Sequence, residues 1–181
     1  WVVNGYMLTY GGCLLLGGRL GDLYGQRRVF VTGITGFTLA SIGCGLSTTQ
    51  SMLVTFRAVQ GVAGALATAV GFALVVTLFS EPAQRAKAMG ITGFVASGGG
   101  AVGVVLGGVI TDALSWHWVF LVNVPIGIAV CALVLRLVDE TSTAAAGRRL
   151  DVAGALVVTS ALMLAVHTVV NRRTSSELNA S

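Results

Sequence analysis

Long apolar runs separated by short polar gaps organise this chain. A helix needs about 20 mostly apolar residues to cross the hydrocarbon core of a bilayer. Six runs are candidates, at about 2–16, 29–46, 52–79, 86–110, 119–137 and 152–170. The first is short for a span, and the third is long enough to tilt or to project beyond the lipid. The runs are too long for strands and lack period-two alternation. The pattern predicts an all-α membrane protein, a helical bundle with about six transmembrane helices.

Basic residues fall in alternate gaps. Arg19, Arg27 and Arg28 lie between the first and second runs, Arg85 and Lys87 between the third and fourth, and Arg136, Arg148 and Arg149 between the fifth and sixth. The gaps 47–51 and 111–117 hold no Lys or Arg. The positive-inside rule places the first set in the cytoplasm. Trp1 then lies near the outer face, and Trp116 and Trp118 at the outer interface. Arg172 and Arg173 fall outside, against the rule. The stretch 139–149 reads as a flexible linker, and 171–181 as a polar, mobile tail.

Composition strengthens the membrane reading. Only 10% of the 181 residues are charged and 55% are hydrophobic, whereas a soluble domain carries about 25% charged residues. So few polar groups could not cover a soluble globule. Gly is abundant at 25 residues, which suits helices packed closely in lipid. The net charge is +4, but the cations sit in gaps between apolar runs, which favours membrane topology over a nucleic-acid surface. Cys13, Cys44 and Cys131 lie in apolar stretches without a Cys-x-x-Cys pair, as expected of buried free thiols. No cleavable signal peptide is recognisable at Trp1, so the natural start is expected upstream.

The first gap, 18–28, reads GRLGDLYGQRR. Its glycines permit a tight turn, and Asp22 stands close to Arg27 and Arg28. The plain reading is a charged loop. The sharper one is a latch whose carboxylate exchanges ion-pair partners, or sits at the positive N-terminus of a neighbouring helix. Arg57 lies about 5 residues into the third run, ~8 Å deep at the helical rise. A charge in a span costs about 2.5–3.5 kcal/mol unless it snorkels or meets a polar cavity. Snorkelling to the outer face is one reading. Gln60, three residues on, supports the other, a shared polar face looking into a cavity. In the fourth run Gly99, Gly103 and Gly107 recur every fourth residue, with Gly108 beside them, and would form a groove for a neighbouring helix. In the fifth, Asn123 could bond between helices or line a substrate cavity, and Pro125 could kink the span. Tyr6, Thr9, Tyr10 and Asn4 on the first run are candidate cavity residues, although interfacial aromatics often only anchor.

These motifs together resemble the major facilitator superfamily. Gly18, Leu20, Gly21, Asp22, Gly25 and Arg27 match its loop Gly-x-Leu-(Ala/Gly)-Asp-x-x-Gly-x-(Arg/Lys) between the second and third helices, with Leu23 and Gln26 replacing basic residues. Arg57, Gln60 and Gly61 match the Arg-x-x-Gln-Gly of the fourth helix, which the family links to proton coupling. Gly99, Gly103, Gly107 and Gly108 match the fifth-helix motif of the drug:proton antiporters, with Val104 where that motif has Pro. Residues 115–127 are similar to the sixth helix of the fourteen-helix exporters, with His117 for Arg. Arg149, Leu150, Asp151 and Gly154 echo the linker into their additional helix.

The resemblance implies roughly helices two to seven of such an exporter. Residues 1–138 would be the N-terminal-half bundle without its first helix, 139–150 a cytoplasmic linker, 151–170 an additional transmembrane helix and 171–181 the tail. It implies a secondary active transporter of the plasma (inner) membrane, moving a drug-like or toxic small molecule against protons. Its partners would be the lipid bilayer and a C-terminal half. The rival expectations are a transporter of another cargo and a truncated, non-transporting fragment. The latter draws support from the lack of Asp or Glu within any run. No metal-ligand spacing or nucleophile–base set is evident, and the Gly-rich GGGAVG lies inside a run rather than after a strand. Neither an enzyme, a cofactor nor a nucleic-acid partner is therefore expected.

Overall fold

The computed structural model describes residues 2–138 together with Val157, Ser160, Ala161, Leu164 and Thr168, which are helical. The linker 139–150, the tail, most of the sixth run, and Trp1, Arg148, Arg149, Leu150, Asp151, Gly154, His167, Arg172 and Arg173 lie outside the described residues. Six helices follow in order: α1 Val2–Tyr24, α2 Gln26–Gly45, α3 Gln50–Leu78, α4 Pro82–Ala113, α5 His117–Leu121 and α6 Asn123–Leu137.

The first five predicted runs are helical, with longer bounds. The largest change is in α1, which continues through the polar motif to Tyr24. Between α1 and α2 only Gly25 departs from helical geometry, at φ 91° and ψ 134°, a backbone that L side chains rarely adopt. The expected loop is thus a one-residue hinge, because nothing between Gly17 and Tyr24 is a strong helix breaker. Pro82 opens α4 at its first turn, where its missing N–H costs nothing. Val122 separates α5 from α6 but stays in the right-handed region at φ −61° and ψ −24°, so the two run on as one stretch.

Among the described residues, four stretches are long and apolar enough to cross a membrane: α2, α3, α4 and His117–Leu137. Helix α1 is not among them, since Asn4, Arg19 and Asp22 dilute its apolarity.

Helix α3 is the centre of the bundle, with α1 and α2 packed on it and α6 on the far side of α2. Its buried face is Gln60, Gly61, Ala63, Gly64, Ala65, Ala67, Val70 and Leu74, mostly small residues. Helix α1 answers with Gly12, Cys13, Gly17 and Gly21. A methyl group on Gly17 would stand 3.0 Å from the Leu66 Cα, and one on Gly33 of α2 would stand 2.8 Å from the Ala67 nitrogen. Small residues let backbones touch, which is how helices gain contact where lipid removes the hydrophobic drive. Large side chains such as Leu15, Leu39 and Phe72 point outward, as a lipid-facing surface requires.

Among the described residues, helix α4 touches only its chain neighbours α3 and α5 and has no buried residue. Nothing lies within 4 Å of a methyl placed on Gly99, Gly103, Gly107 or Gly108. The predicted groove therefore has no partner among the described residues. The close approaches fall on α1, α2 and α3 instead, where opposed faces are both small.

Candidate functional site

Thr49 caps α3, its hydroxyl accepting from the Met52 N–H at 3.3 Å, and so fixes where the helix begins. Two turns later Arg57 projects towards α1 and α5. Its guanidinium carbon lies 4.2 Å from the Tyr6 ring centre and 5.6 Å from that of Phe120. A cation over an aromatic face gains electrostatic attraction, more so out of water. Arg57 Nε also donates to the Val2 carbonyl at 3.4 Å, and Nη1 donates to Gln60 Oε1 at 2.7 Å.

Gln60 is 1% exposed. Its Nε2 donates to Ser41 Oγ at 2.5 Å, and Ser41 donates in turn to the Phe37 carbonyl of its own helix at 2.9 Å. Ser41 is fully buried. The polar chain thus runs from Arg57 through α3 to the α2 backbone with each link satisfied, as burial in an apolar bundle demands. Gly61 serves the other neighbour. A methyl there would overlap the Thr9 hydroxyl and come 3.1 Å from the Tyr10 nitrogen. Tyr6 and Tyr10 stack at 5.6 Å on the same part of α1.

The structure therefore brings Arg57, Gln60, Gly61, Tyr6 and Tyr10 together, in the N-terminal parts of α1 and α3 and beside α5. Gln60, however, faces buried α2 rather than open space. Asn123 stays apart. Its amide donates to the Val119 carbonyl of the same helical stretch at 3.4 Å, because that acceptor lies one turn back and in reach. The predicted bond between helices is not formed. Asn4 is exposed. Sequence reasoning missed Ser41 and Phe120. A lone serine in an apolar run carries no spacing signal, and Phe120 reads as one more interfacial aromatic beside Trp116, which it meets edge-on at 6.2 Å.

At the opposite ends of these helices, two arginines cap carbonyls. Arg27, in the first turn of α2, donates from Nη2 to the Leu135 carbonyl at 2.8 Å in the last turn of α6. Arg85, in the first turn of α4, donates to the carbonyls of Phe79 at 3.1 Å and Val76 at 3.2 Å at the end of α3. Cations at helix C-termini satisfy orphan carbonyls and complement the helix dipole. Gly18 and Asp22 belong to the last two turns of α1, and Arg28 to the first turn of α2. Asp22 is exposed, and no ion pair joins it to an arginine among the described residues. Its charge sits at the negative end of its own helix, an unfavourable position that a cation or a helix N-terminus would relieve. Among the described residues no three His, Cys, Asp or Glu side chains converge as a metal site.

A family profile described as Major Facilitator Superfamily matches residues 1–173. The cephamycin export protein CmcT of Amycolatopsis lactamdurans is 46% identical over 165 residues, covering 91% of this chain and 34% of that protein. The puromycin resistance protein pur8 of Streptomyces alboniger is 41% identical over 167 residues, or 92% of this chain and 33% of that protein. Multidrug resistance protein 3 of Bacillus subtilis is 37% identical over 141 residues, or 78% of this chain and 27% of that protein. The chain spans about a third of the length of the first two relatives. With its apolar helices, a profile match along most of its length and relatives of this kind, it is a multi-pass membrane protein belonging to the Major Facilitator Superfamily.

Proposed function

We propose that this chain forms part of a proton-coupled exporter of antibiotic-like or other toxic small molecules in the bacterial plasma membrane. The observation that carries this reading is the half-buried Arg57, held by Tyr6, Phe120 and Gln60 within an apolar bundle. A cation kept there at a cost is a functional expense rather than a packing need. Relatives named for puromycin resistance and cephamycin export supply the cargo class. Residues 1–138 act as one rocking body and 139–150 as the cytoplasmic link to a further helix at 151–170. Gly18, Asp22, Gly25, Arg27 and Arg28 form the cytoplasmic latch.

The test uses the complete reading frame that encodes this chain, in inside-out membrane vesicles. An imposed proton gradient drives uptake of puromycin or another hydrophobic cation. Arg57→Ala abolishes that uptake while the protein still inserts at normal abundance. Uptake that ignores the gradient in the unaltered protein overturns proton coupling, and failure of every drug-like compound tried, with transport of another solute, overturns the cargo class.

A further inference from the structure

Arg57 and Gln60 lie three residues apart on one helix, so their mutual bond says nothing about neighbouring helices. What registers the pair against α2 is Ser41. The direction of each link is chemically fixed. Arginine has only donors, so the group facing it must accept. The Ser41 hydroxyl has one proton, and it is committed to the Phe37 carbonyl at 2.9 Å, so the Ser41 oxygen must accept from whatever faces it. The side chain between them must therefore accept at one end and donate at the other. Gln60 does this, with Oε1 to Arg57 and Nε2 to Ser41. A glutamate would present two acceptors, and a leucine neither group.

We propose that Ser41 is a positioning residue, which holds Arg57 in place through Gln60 and makes the arginine follow any shift of α2. The proposal rests on the proton-coupling reading given above. Ser41 never meets the cargo or the proton. Both Ser41 and Gln60 are closed off from solvent at 0% and 1% exposure, so water cannot replace the missing partner in a variant.

The test uses the full-length transporter in proteoliposomes and reads two rates. Cargo exchange without a proton gradient reports folding and cargo binding, and accumulation driven by a proton gradient reports coupling. Ser41→Ala keeps exchange and lowers proton-driven accumulation about tenfold, the factor that corresponds to one orphaned buried donor. Ser41→Thr, which keeps a hydroxyl able to bond the carbonyl one turn back, restores it. In a Gln60→Ala background, Ser41→Ala has no further effect, since its route to Arg57 is already cut. Additive losses, an equal fall in both rates, or no change with Ser41→Ala would each overturn the proposal. If the unaltered protein shows no proton-driven accumulation, the functional reading falls. The same two substitutions are then read in thermal unfolding of the detergent-solubilised protein, where non-additive midpoint shifts uphold the Ser41–Gln60 link and additive shifts overturn it.

Discussion

Gly61 and Thr9 lie so close that a methyl group on Gly61 would overlap the Thr9 hydroxyl, which already donates to the Gly5 carbonyl at 2.9 Å. The last position of the Arg-x-x-Gln-Gly motif is thus a point where α1 and α3 touch. The backbone of Tyr6, whose ring carries Arg57, is part of the same contact.

Overpacking at that point is expected to cost stability. Gly61→Ala lowers it by about 1–3 kcal/mol, the usual range for forcing an extra methyl into a closed contact. Gly18→Ala is the control, because nothing lies within 4 Å of a methyl placed there. It keeps or raises stability, by up to about 1 kcal/mol from helix propensity. Thermal unfolding in detergent distinguishes the two. Equal shifts would mean that the α1–α3 contact is not as close as drawn.

Removing the guanidinium of Arg27 is expected to loosen the end of α6, since its Nη2 caps the Leu135 carbonyl. Arg136 in that last turn is exposed and offers a tryptic site. A cap of this kind is worth about 1 kcal/mol, so Arg27→Ala speeds cleavage after Arg136 about fivefold. Arg85→Ala, which uncaps α3 instead, leaves that rate unchanged. Identical acceleration by both variants would refute separate caps.

The two caps also fix a topology. Arg27 joins the start of α2 to the end of α6, Arg85 joins the start of α4 to the end of α3, and Thr77 near the end of α3 donates to Gln26 at 3.3 Å. These ends share one face of the bundle, opposite Thr49 and Trp116. Cysteines introduced at the exposed positions Arg28 and Lys87 are expected to react with a membrane-impermeant maleimide from one side of a vesicle, and one at Thr48 from the other. Labelling of Arg28→Cys and Lys87→Cys from opposite sides would dismantle the arrangement.

The helices were legible because apolar length and alternating charge are properties of composition along the chain. The turn at Gly25 was mislaid for a local reason. Polarity in 18–24 suggested a loop, yet α-helices tolerate Gly, Arg and Asp, and only the left-handed backbone of Gly25 breaks the ladder. In α4 a regular glycine stripe has no partner among the described residues, while irregularly spaced glycines such as Gly33 and Gly61 make close approaches. A helical stripe shows that approach is allowed, and the facing surface decides whether it happens. At the site, Arg57 and Gln60 were visible as polar residues at helical spacing. Ser41 was not, because its role depends on a residue 19 positions away on another helix.

Replacing Arg57 by lysine should separate charge from shape. Both side chains are cationic, but the flat guanidinium lies over Tyr6, faces Phe120 and offers Gln60 a donor from a fixed fork. An ammonium keeps the charge and loses the planar stack, and it is more strongly hydrated, so it is harder to hold in an apolar bundle. Lost stacking at a desolvated site amounts to about 1–2 kcal/mol, so Arg57→Lys is expected to retain between a thirtieth and a fifth, roughly, of proton-driven transport. Arg57→Ala should retain none. The measurement is gradient-driven uptake in vesicles, normalised to the amount of inserted protein. Full activity with lysine would show that any cation suffices and that Tyr6 and Phe120 serve only as anchors. Complete loss with lysine, equal to that of alanine, would place the whole requirement on the guanidinium fork.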